Sequence, residues 1–446
     1  MNVKAYIDNL LTQTLSQGIS EAEVYLLEKN SFNAMCTKGE ITHYASNETR
    51  GLGLRGLYNG KMGYASTEAL DSASPAQLIK GVIESASLCE DEDSTFLYNN
   101  PDDLVYNTED LPEETISTQS MLDGLLLLEK TAFAYDKRIV NTSYCMVQSG
   151  TYKVSIKNTH GLNKNYSERY YSYYIQPNAS YEGALSSGGF GKISHDFSTL
   201  NPEEIANEAA KRAILGLFAK PVPSGKYKII FNNECLCSLM SVFTSVFSGE
   251  SEQKGLSLLS GKLNETIASP CVTLIDDPLL ADGFGGRPFD SEGVSSKKHC
   301  IIKDGVFKTF LHNLKTAKKA NIPTTANASK ASYGSSIQIS PSNFGFLPGK
   351  DNFETLCQNM ENGLVITEVS GLHAGANPIS GDFSLLSSGY TINNGKIEQS
   401  VNQITIAGNF FSLLMQIETF ANDVYYDDSG IFSPSCYVGE LSVSGS

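Results

Sequence analysis

Apolar residues at Val3, Ile7, Leu10, Leu11 and Leu15 recur at helical spacing and stop at Gly18, so the pattern predicts an amphipathic helix over 3–17. Beyond it the helical spacing gives way to short runs. Runs Glu23–Leu27, Phe32–Thr37, Ile41–Ala45, Gly51–Tyr58 and Met62–Ser66 predict a strand meander, punctuated by turn formers such as Lys38-Gly39 and Asn59-Gly60. Ser74 before Pro75 reads as an N-cap and first-turn proline opening a helix that reaches Cys89.

Met121, Leu122, Leu125, Leu126 and Leu128 predict a buried helix over Ser117–Tyr135. The Tyr-, Ser- and Gly-rich alternation from Ile139 to Phe190, broken at Asn158-Thr-His-Gly161, predicts antiparallel strands. Pro202–Phe218 reads as a helix, and Lys220-Pro-Val-Pro-Ser-Gly225 as the linker. The second half opens with a strand over Lys226–Phe231 and a helix over Glu234–Phe247. Hairpins follow at Cys300–Leu311, around Asp304-Gly305, and at Gly389–Ala407, around Asn394-Gly395. Leu413–Asn422 reads as a late helix and Tyr437–Val443 as the closing strand. Helices mixed with antiparallel strands, without regular alternation, predict an α+β fold in two domains, 1–220 and 221–446.

Composition changes this picture in three ways. With 33 basic against 49 acidic residues the net charge is −16, which repels nucleic acid and anionic membrane surfaces. Nothing supplies about 18 consecutive apolar residues, Asp8 interrupts any signal-peptide core, and nine scattered Cys suit reduced thiols; a cytoplasmic chain without a membrane span is expected. The stretch from Glu90 to Glu114 holds ten acids around Pro101 and Pro112 and reads as a solvated excursion.

The candidate chemistry is sparse. No pair among His43, His160, His195, His299, His312 and His373 has the i+3 or i+4 spacing that puts two imidazoles on one helix face. Cys235 and Cys237 would point about 200° apart on a helix and read as core. Ser251–Lys254 and Ser295–Lys298 fit Ser-x-x-Lys without companion motifs. The loop Asp282-Gly-Phe-Gly-Gly-Arg287 could bring a ligand close to the backbone, although a structural turn accounts for it better. Between Gly371 and Asp382, His373, Asn377, Gly381 and Asp382, with Phe383 next to them, form a polar, glycine-rich segment that could line a substrate path.

Several segments together resemble the TldD/PmbA family, once called modulators of DNA gyrase and classed among metalloproteases. They are Gly51-Leu-Gly-Leu-Arg55, Gly63-Tyr-Ala-Ser-Thr67, Ser257-Leu-Leu-Ser-Gly-Lys-Leu263, Asp290-Ser-Glu-Gly-Val294, Gly381-Asp-Phe-Ser384, Ile404-Thr-Ile-Ala-Gly-Asn409 and Ala421-Asn-Asp423. TldD-like members carry His-Glu-x-x-x-His, with a Cys near the C-terminus as a further zinc ligand. Aligned through Gly249, Gly255 and Ser257, this chain has Met240, Ser241 and Ser245 at those positions, and Cys436 as the counterpart of the thiol. A thioether and hydroxyls are poor substitutes for imidazoles and a carboxylate base.

The resemblance therefore implies the PmbA/TldE-like arm, a subunit with no catalytic or metal-binding residues of its own. Such a subunit pairs with a TldD-like zinc peptidase that holds the zinc, and the pair acts on unfolded peptides in a closed chamber. A homodimer of the isolated chain is a further possibility, with no nucleic acid or membrane partner. Two other readings stand beside it. One is an active metallopeptidase with displaced ligands from His299, His312, His373 and the Cys set; the other is a non-enzymatic binding protein that modulates gyrase.

Overall fold

The computed structural model describes residues 2–89, 96–107, 111 and 116–446. Eight of the ten acids of the stretch 90–114 thus lie outside the described residues. Asp103, within it, is no solvated acid: it bonds Lys164 Nζ at 2.5 Å and Ser295 Oγ at 2.6 Å.

The N-terminal half runs α1 (Val3–Ser16), β1 (Glu21–Thr37), β2 (Glu40–Tyr58), β3 (Lys61–Thr67), α2 (Ser74–Leu88), β4 (Val105–Asn107), α3 (Thr118–Tyr135), β5 (Ile139–Asn158), β6 (Asn163–Tyr181), β7 (Ala184–Ser187), β8 (Phe190–Ser194) and α4 (Pro202–Gly216). Its main sheet has the order β3-β2-β1-β5-β6-β4, mostly antiparallel. Predicted strands 23–27 and 32–37 are one strand, because the polar residues Glu28–Ser31 between them stay in register with both neighbours: Lys29 faces Thr49 and Tyr152. Predicted strands 41–45 and 51–58 are likewise one strand, β2, whose residues 46–50 stay in register with β1 alone. Along β1, Val24 and Leu26 pack under α1 and α2, while Tyr25 and Leu27 face Phe289 from the C-terminal half. The sheet is therefore buried on both faces there, which explains the unbroken apolar run Val24–Leu27.

Two-residue turns with both residues at positive φ join the hairpins. Lys38-Gly39 (55°, 78°), Asn59-Gly60 (51°, 78°), Asp304-Gly305 (49°, 81°) and Asn394-Gly395 (50°, 74°) have the left-handed geometry that matches strand twist. Glu129 on α3, 2% exposed, accepts from both amides of the first turn, Lys38 N at 3.0 Å and Gly39 N at 2.7 Å. The predicted cap at Ser74 is displaced. Ala73 occupies the cap position, Asp71 Oδ1 accepts from Ala73 N and Ser74 N at 2.9 Å each, and the Ser74 hydroxyl instead meets Tyr6 Oη at 2.7 Å.

The C-terminal half runs β9 (Gly225–Phe231), α5 (Asn233–Phe243), a 3₁₀ turn (Thr244–Phe247), α6 (Gly249–Gln253), β10 (Leu274–Asp276), β11 (His299–Lys303), β12 (Val306–Phe307), α7 (Leu314–Ala320), β13 (Ala328–Ser329), β14 (Gln338–Ile339), β15 (Phe344–Phe346), α8 (Phe353–Met360), β16 (Gly363–Ser370), α9 (Leu372–Gly375), β17 (Asp382–Asn393), β18 (Lys396–Asn409), α10 (Phe410–Gln416), β19 (Thr419–Phe420), β20 (Tyr425–Tyr426), β21 (Ile431–Ser433) and β22 (Cys436–Ser444). The sheets β18-β17-β16-β9-β22-β19 and β12-β11-β10-β15-β21-β20 share one core with α5, through Leu236, Leu239, Met240 and Phe243. Both halves mix helices with antiparallel and mixed sheets, an α+β architecture.

The late helix is shorter than its apolar spacing predicts. It starts on the Asn409 cap, which accepts from Phe411 N at 3.1 Å, and ends at Gln416. Ile417 and Phe420 still reach the core, but Phe420 does so from β19, paired with Cys436 of β22. A strand that returns its side chain to the same core mimics i, i+4, i+7 spacing. Across the linker, Arg212 of α4 grips Glu234 of α5 bidentately at 2.7 and 2.9 Å and tethers the two halves.

Candidate functional site

The positions aligned with the zinc motif lie on α5 and the 3₁₀ turn after it. Asn232 caps α5 by accepting from Cys235 N at 2.9 Å, and its apolar stripe turns Met240 inward to 1% exposure. Ser241 and Ser245, one helical turn apart, are exposed, and the Ser241 hydroxyl donates back to Ser238 O at 2.8 Å. A buried thioether and two outward hydroxyls do not fit a tetrahedral zinc that takes imidazole, thiolate or carboxylate. Cys436 is fully buried in β22, and burial, with Cys235 close by, pushes its thiol well up, so it stays neutral. Cys235 and Cys237 are core residues as expected, raised by the same burial.

The same corner holds a histidine that the spacing search could not place. His312 packs its ring where a Cβ on Gly249 would come within 2.3 Å, so Gly249 is required for this contact. Its Nδ1 lies 3.1 Å from Thr316 Oγ1 in the capping box of α7, and burial lowers its pKa to about 4. A histidine depressed below its unfolded value stays neutral when folded, so its contribution is fully present above about 6.5 and is lost as pH falls toward 4. His312→Gln is expected to flatten the acid limb of a plot of denaturation midpoint against pH between those values; an unchanged limb would refute the assignment. Among the described residues no group of three or more His, Cys, Asp or Glu is placed to hold a metal ion, and His299, His312 and His373 are not gathered into one.

The glycine-rich segment after α9 is brought together only in part. Asn377 Oδ1 accepts from Ile379 N at 2.9 Å, Gly381 N donates to Asn377 O at 2.8 Å, and Asn409 Nδ2 donates to both Ser380 O and Asp382 Oδ1 at 2.9 Å. The Asn409 bond holds the exposed Asp382 carboxyl below the usual range. Gly381 sits at φ 82°. Its Cβ would strike Phe411 at 2.6 Å. Phe383, in contrast, is 3% exposed and lies under Gly408, so its ring serves the core and not a substrate path. His373 is exposed on α9, with no bond to the turn.

Two of the sequence segments meet across the halves, a partnership that no spacing could announce. Gly51 and Gly53 let the chain at Tyr333 lie on the first sheet: a Cβ at either would come within 2.1 Å of the Tyr333 ring or carbonyl. Beside them Arg55 Nε bonds Glu23 at 2.6 Å and Nη1 reaches Glu292 at 3.5 Å, all three side chains at most 6% exposed. Glu292 Oε2 also accepts from Leu314 N, at 2.8 Å, and burial raises its pKa to about 7. Burial raises Asp290 to about 6 and lowers Lys330, over the Tyr25 ring at 5.0 Å, to about 8. Within the C-terminal half, two more of the segments meet where Asn409 bonds Asp382, and Asp423 of another accepts from Ser435 N at 2.9 Å and its hydroxyl at 2.7 Å.

Three family models match the chain in order: PmbA/TldA metallopeptidase domain 1 over 22–86, the central domain over 111–217 and the C-terminal domain over 224–445. The chain is 27% identical over 441 residues to metalloprotease PmbA of Escherichia coli O157:H7, covering 97% of this chain and 94% of the relative. A Haemophilus influenzae metalloprotease TldD homolog is 24% identical over 98% of this chain and 97% of its own. Among solved structures, a Thermotoga maritima protein named for modulation of a DNA gyrase superposes with TM-score 0.89 at 32% identity, covering 99% and 100% of the two chains. TldE from Thermococcus kodakarensis shares the fold with TM-score 0.89 at 21% identity over 99% and 100%. No helix of the described residues is long and apolar enough to cross a membrane. Family models over most of the chain, the PmbA relatives and the shared fold place this protein in the PmbA/TldD metallopeptidase family, on its PmbA/TldE-like arm.

Proposed function

We propose that this chain is the non-catalytic subunit of a cytoplasmic TldD–TldE type metalloprotease that degrades or processes unfolded peptides, with the zinc held by a TldD-like partner. The observation that carries the reading is the identity and placement of residues 240, 241 and 245: Met240 turned into the core, Ser241 and Ser245 exposed hydroxyls on the surface. No residue there supplies a strong zinc ligand or a base for water. The chain's share of the work is then to complete the chamber and hold peptide. The turn at Asn377–Asp382 is its candidate lining, with halves 1–220 and 221–446 acting as domains.

Expressed alone, the chain is expected to carry well under one zinc per chain by elemental analysis and to leave unfolded peptides uncut. Co-expressed with a TldD-like chain, it is expected to co-purify in equal amounts with peptidase activity. Stoichiometric zinc and metal-dependent cleavage by the single chain would overturn the proposal.

A further inference from the structure

The glycine-rich loop flagged in the sequence forms one wall of a cavity of about 340 Å³ between the two halves, small but within the range of ligand sites. The N-terminal half supplies Tyr106, Tyr166, Ser167, Glu168 and His195; the C-terminal half supplies the segment from Pro278 to Pro288, with Arg287.

The acidic wall is built on β6. The Tyr152 hydroxyl donates to Glu168 from the neighbouring strand, and His195 Nε2 lies 3.6 Å from the other oxygen. The imidazole is fixed on both sides, with Nδ1 2.8 Å from Arg169 O and the ring stacked on Phe284 at 4.8 Å. Burial raises Glu168 to about 7, the mark of a carboxyl held where its charge lacks a full counterpart.

The basic wall has the opposite deficit. Arg287 makes no ion pair among the described residues. Its Nη2 donates to Ser340 O at 2.9 Å, and its Nε is buried with no partner. The two acids near it are spent elsewhere. Asp276 accepts from Ser342 N and its hydroxyl, both at 2.7 Å, and from Asn327 Nδ2 at 2.7 Å. Asp290 accepts from Glu292 N, Val294 N and Ala328 N. Between the walls stand apolar surfaces, Tyr106 and Tyr166, both edge-on to Phe289, and Leu279 and Leu280.

We propose that this cleft binds a small zwitterion of peptide origin, a free amino acid or dipeptide, with its ammonium on Glu168 and His195 and its carboxylate on Arg287. A carboxyl with no Lys or Arg paired to it among the described residues and a guanidinium without an ion pair, both lining one cleft, complement the two termini of such a ligand. The tyrosine and leucine surfaces take a side chain between them. The volume matches one or two residues, so the site suits the end product of peptide breakdown. Only the choice of a peptide-derived ligand leans on the function proposed above.

The test uses the full chain and calorimetric titration with the dipeptide Ala-Phe, its N-acetyl and C-amide forms, and the doubly blocked form. Free Ala-Phe is expected to bind, and each single block to weaken binding about tenfold or more, roughly 1.4 kcal/mol per decade. Glu168→Gln is expected to abolish the penalty for acetylation and Arg287→Gln the penalty for amidation, each leaving the other penalty intact. Equal binding of the doubly blocked dipeptide, or no binding of Ala-Phe or of free phenylalanine to the parent chain, would overturn the proposal. The ligand series on the parent protein decides this even where a variant folds poorly. Failure here leaves partner co-purification untouched, and a chain that finds no TldD-like partner can still bind the dipeptide.

Discussion

Arg55→Met is expected to lower the unfolding free energy by about 3–5 kcal/mol, because it strands two buried carboxylates that the guanidinium now faces. Glu23 is 2% exposed and Glu292 4%, and neither reaches bulk water when the cation goes. The loss should depend on pH in a definite direction. Glu292 already has its pKa raised to about 7 in the fold, with Arg55 opposing that rise; removing Arg55 raises it further. A carboxyl whose folded pKa exceeds its unfolded value binds more protons when folded, so stability falls as pH climbs through the interval between them. Urea midpoints for the variant should therefore trail the parent most at pH 8 and least at pH 5, and Glu292→Gln in the Arg55→Met background should recover part of the deficit at pH 8. Parent-like stability at pH 8 would show that the pair across the halves contributes nothing.

Phe410→Ala is expected to cost a similar amount, about 3–5 kcal/mol, through the cavity it leaves. The ring is 1% exposed and stacks on Phe243 of α5 with centroids 4.3 Å apart and planes 7° from parallel. It also stands edge-on to Phe247 at 6.5 Å. Removing it opens the core under the helix that carries residues 240 and 241. The neighbouring Phe411, only half buried, provides the control: Phe411→Ala should cost clearly less in the same urea titration. Equal losses at the two positions would mean that α10 as a whole, and not the Phe243 stack, holds the core.

What the sequence revealed divides along physical lines. Turns with two left-handed residues admit few residue pairs, so Asn59-Gly60, Asp304-Gly305 and Asn394-Gly395 announced their hairpins. The α4 start is marked by Pro202, a residue suited to the first helical turn, and the fold adds the Asn201 cap, which accepts from Glu203 N at 3.0 Å. Strand length was not legible, since polar residues such as Glu28 and Asn30 in β1 satisfy the ladder as well as apolar ones do. Nor was the end of α10, where Phe420 returns to the core from a strand.

At the candidate site, local chemistry could be seen but convergence could not. The loop carrying Arg287 was noticed for its glycines, and His195 was counted. Nothing in their positions along the chain says that Glu168 and His195 face that loop across the junction of the halves. Arg55 and Glu292 were each noticed as part of a resemblance, yet their pairing arises only when the halves dock. Phe383 shows the reverse case: proximity to Asp382 in sequence suggested a common role, but alternation along β17 sends the two side chains to opposite faces.

The outer edge of β2 has a consequence for how the protein behaves in a crowded solution. Strand β3 covers this edge only from Leu52 onward, so residues 40–51 have no partner strand on that side among the described residues. An open row of amides and carbonyls is a template on which other chains could polymerise. Here the register with β1 slips between Met35 and Cys36, leaving Thr42 as an extra residue that kinks the row, and Glu48 and Arg50 place charges beyond it. The longest exposed margin of the first sheet is thus made a poor seed for fibrils by one inserted residue and two charged neighbours.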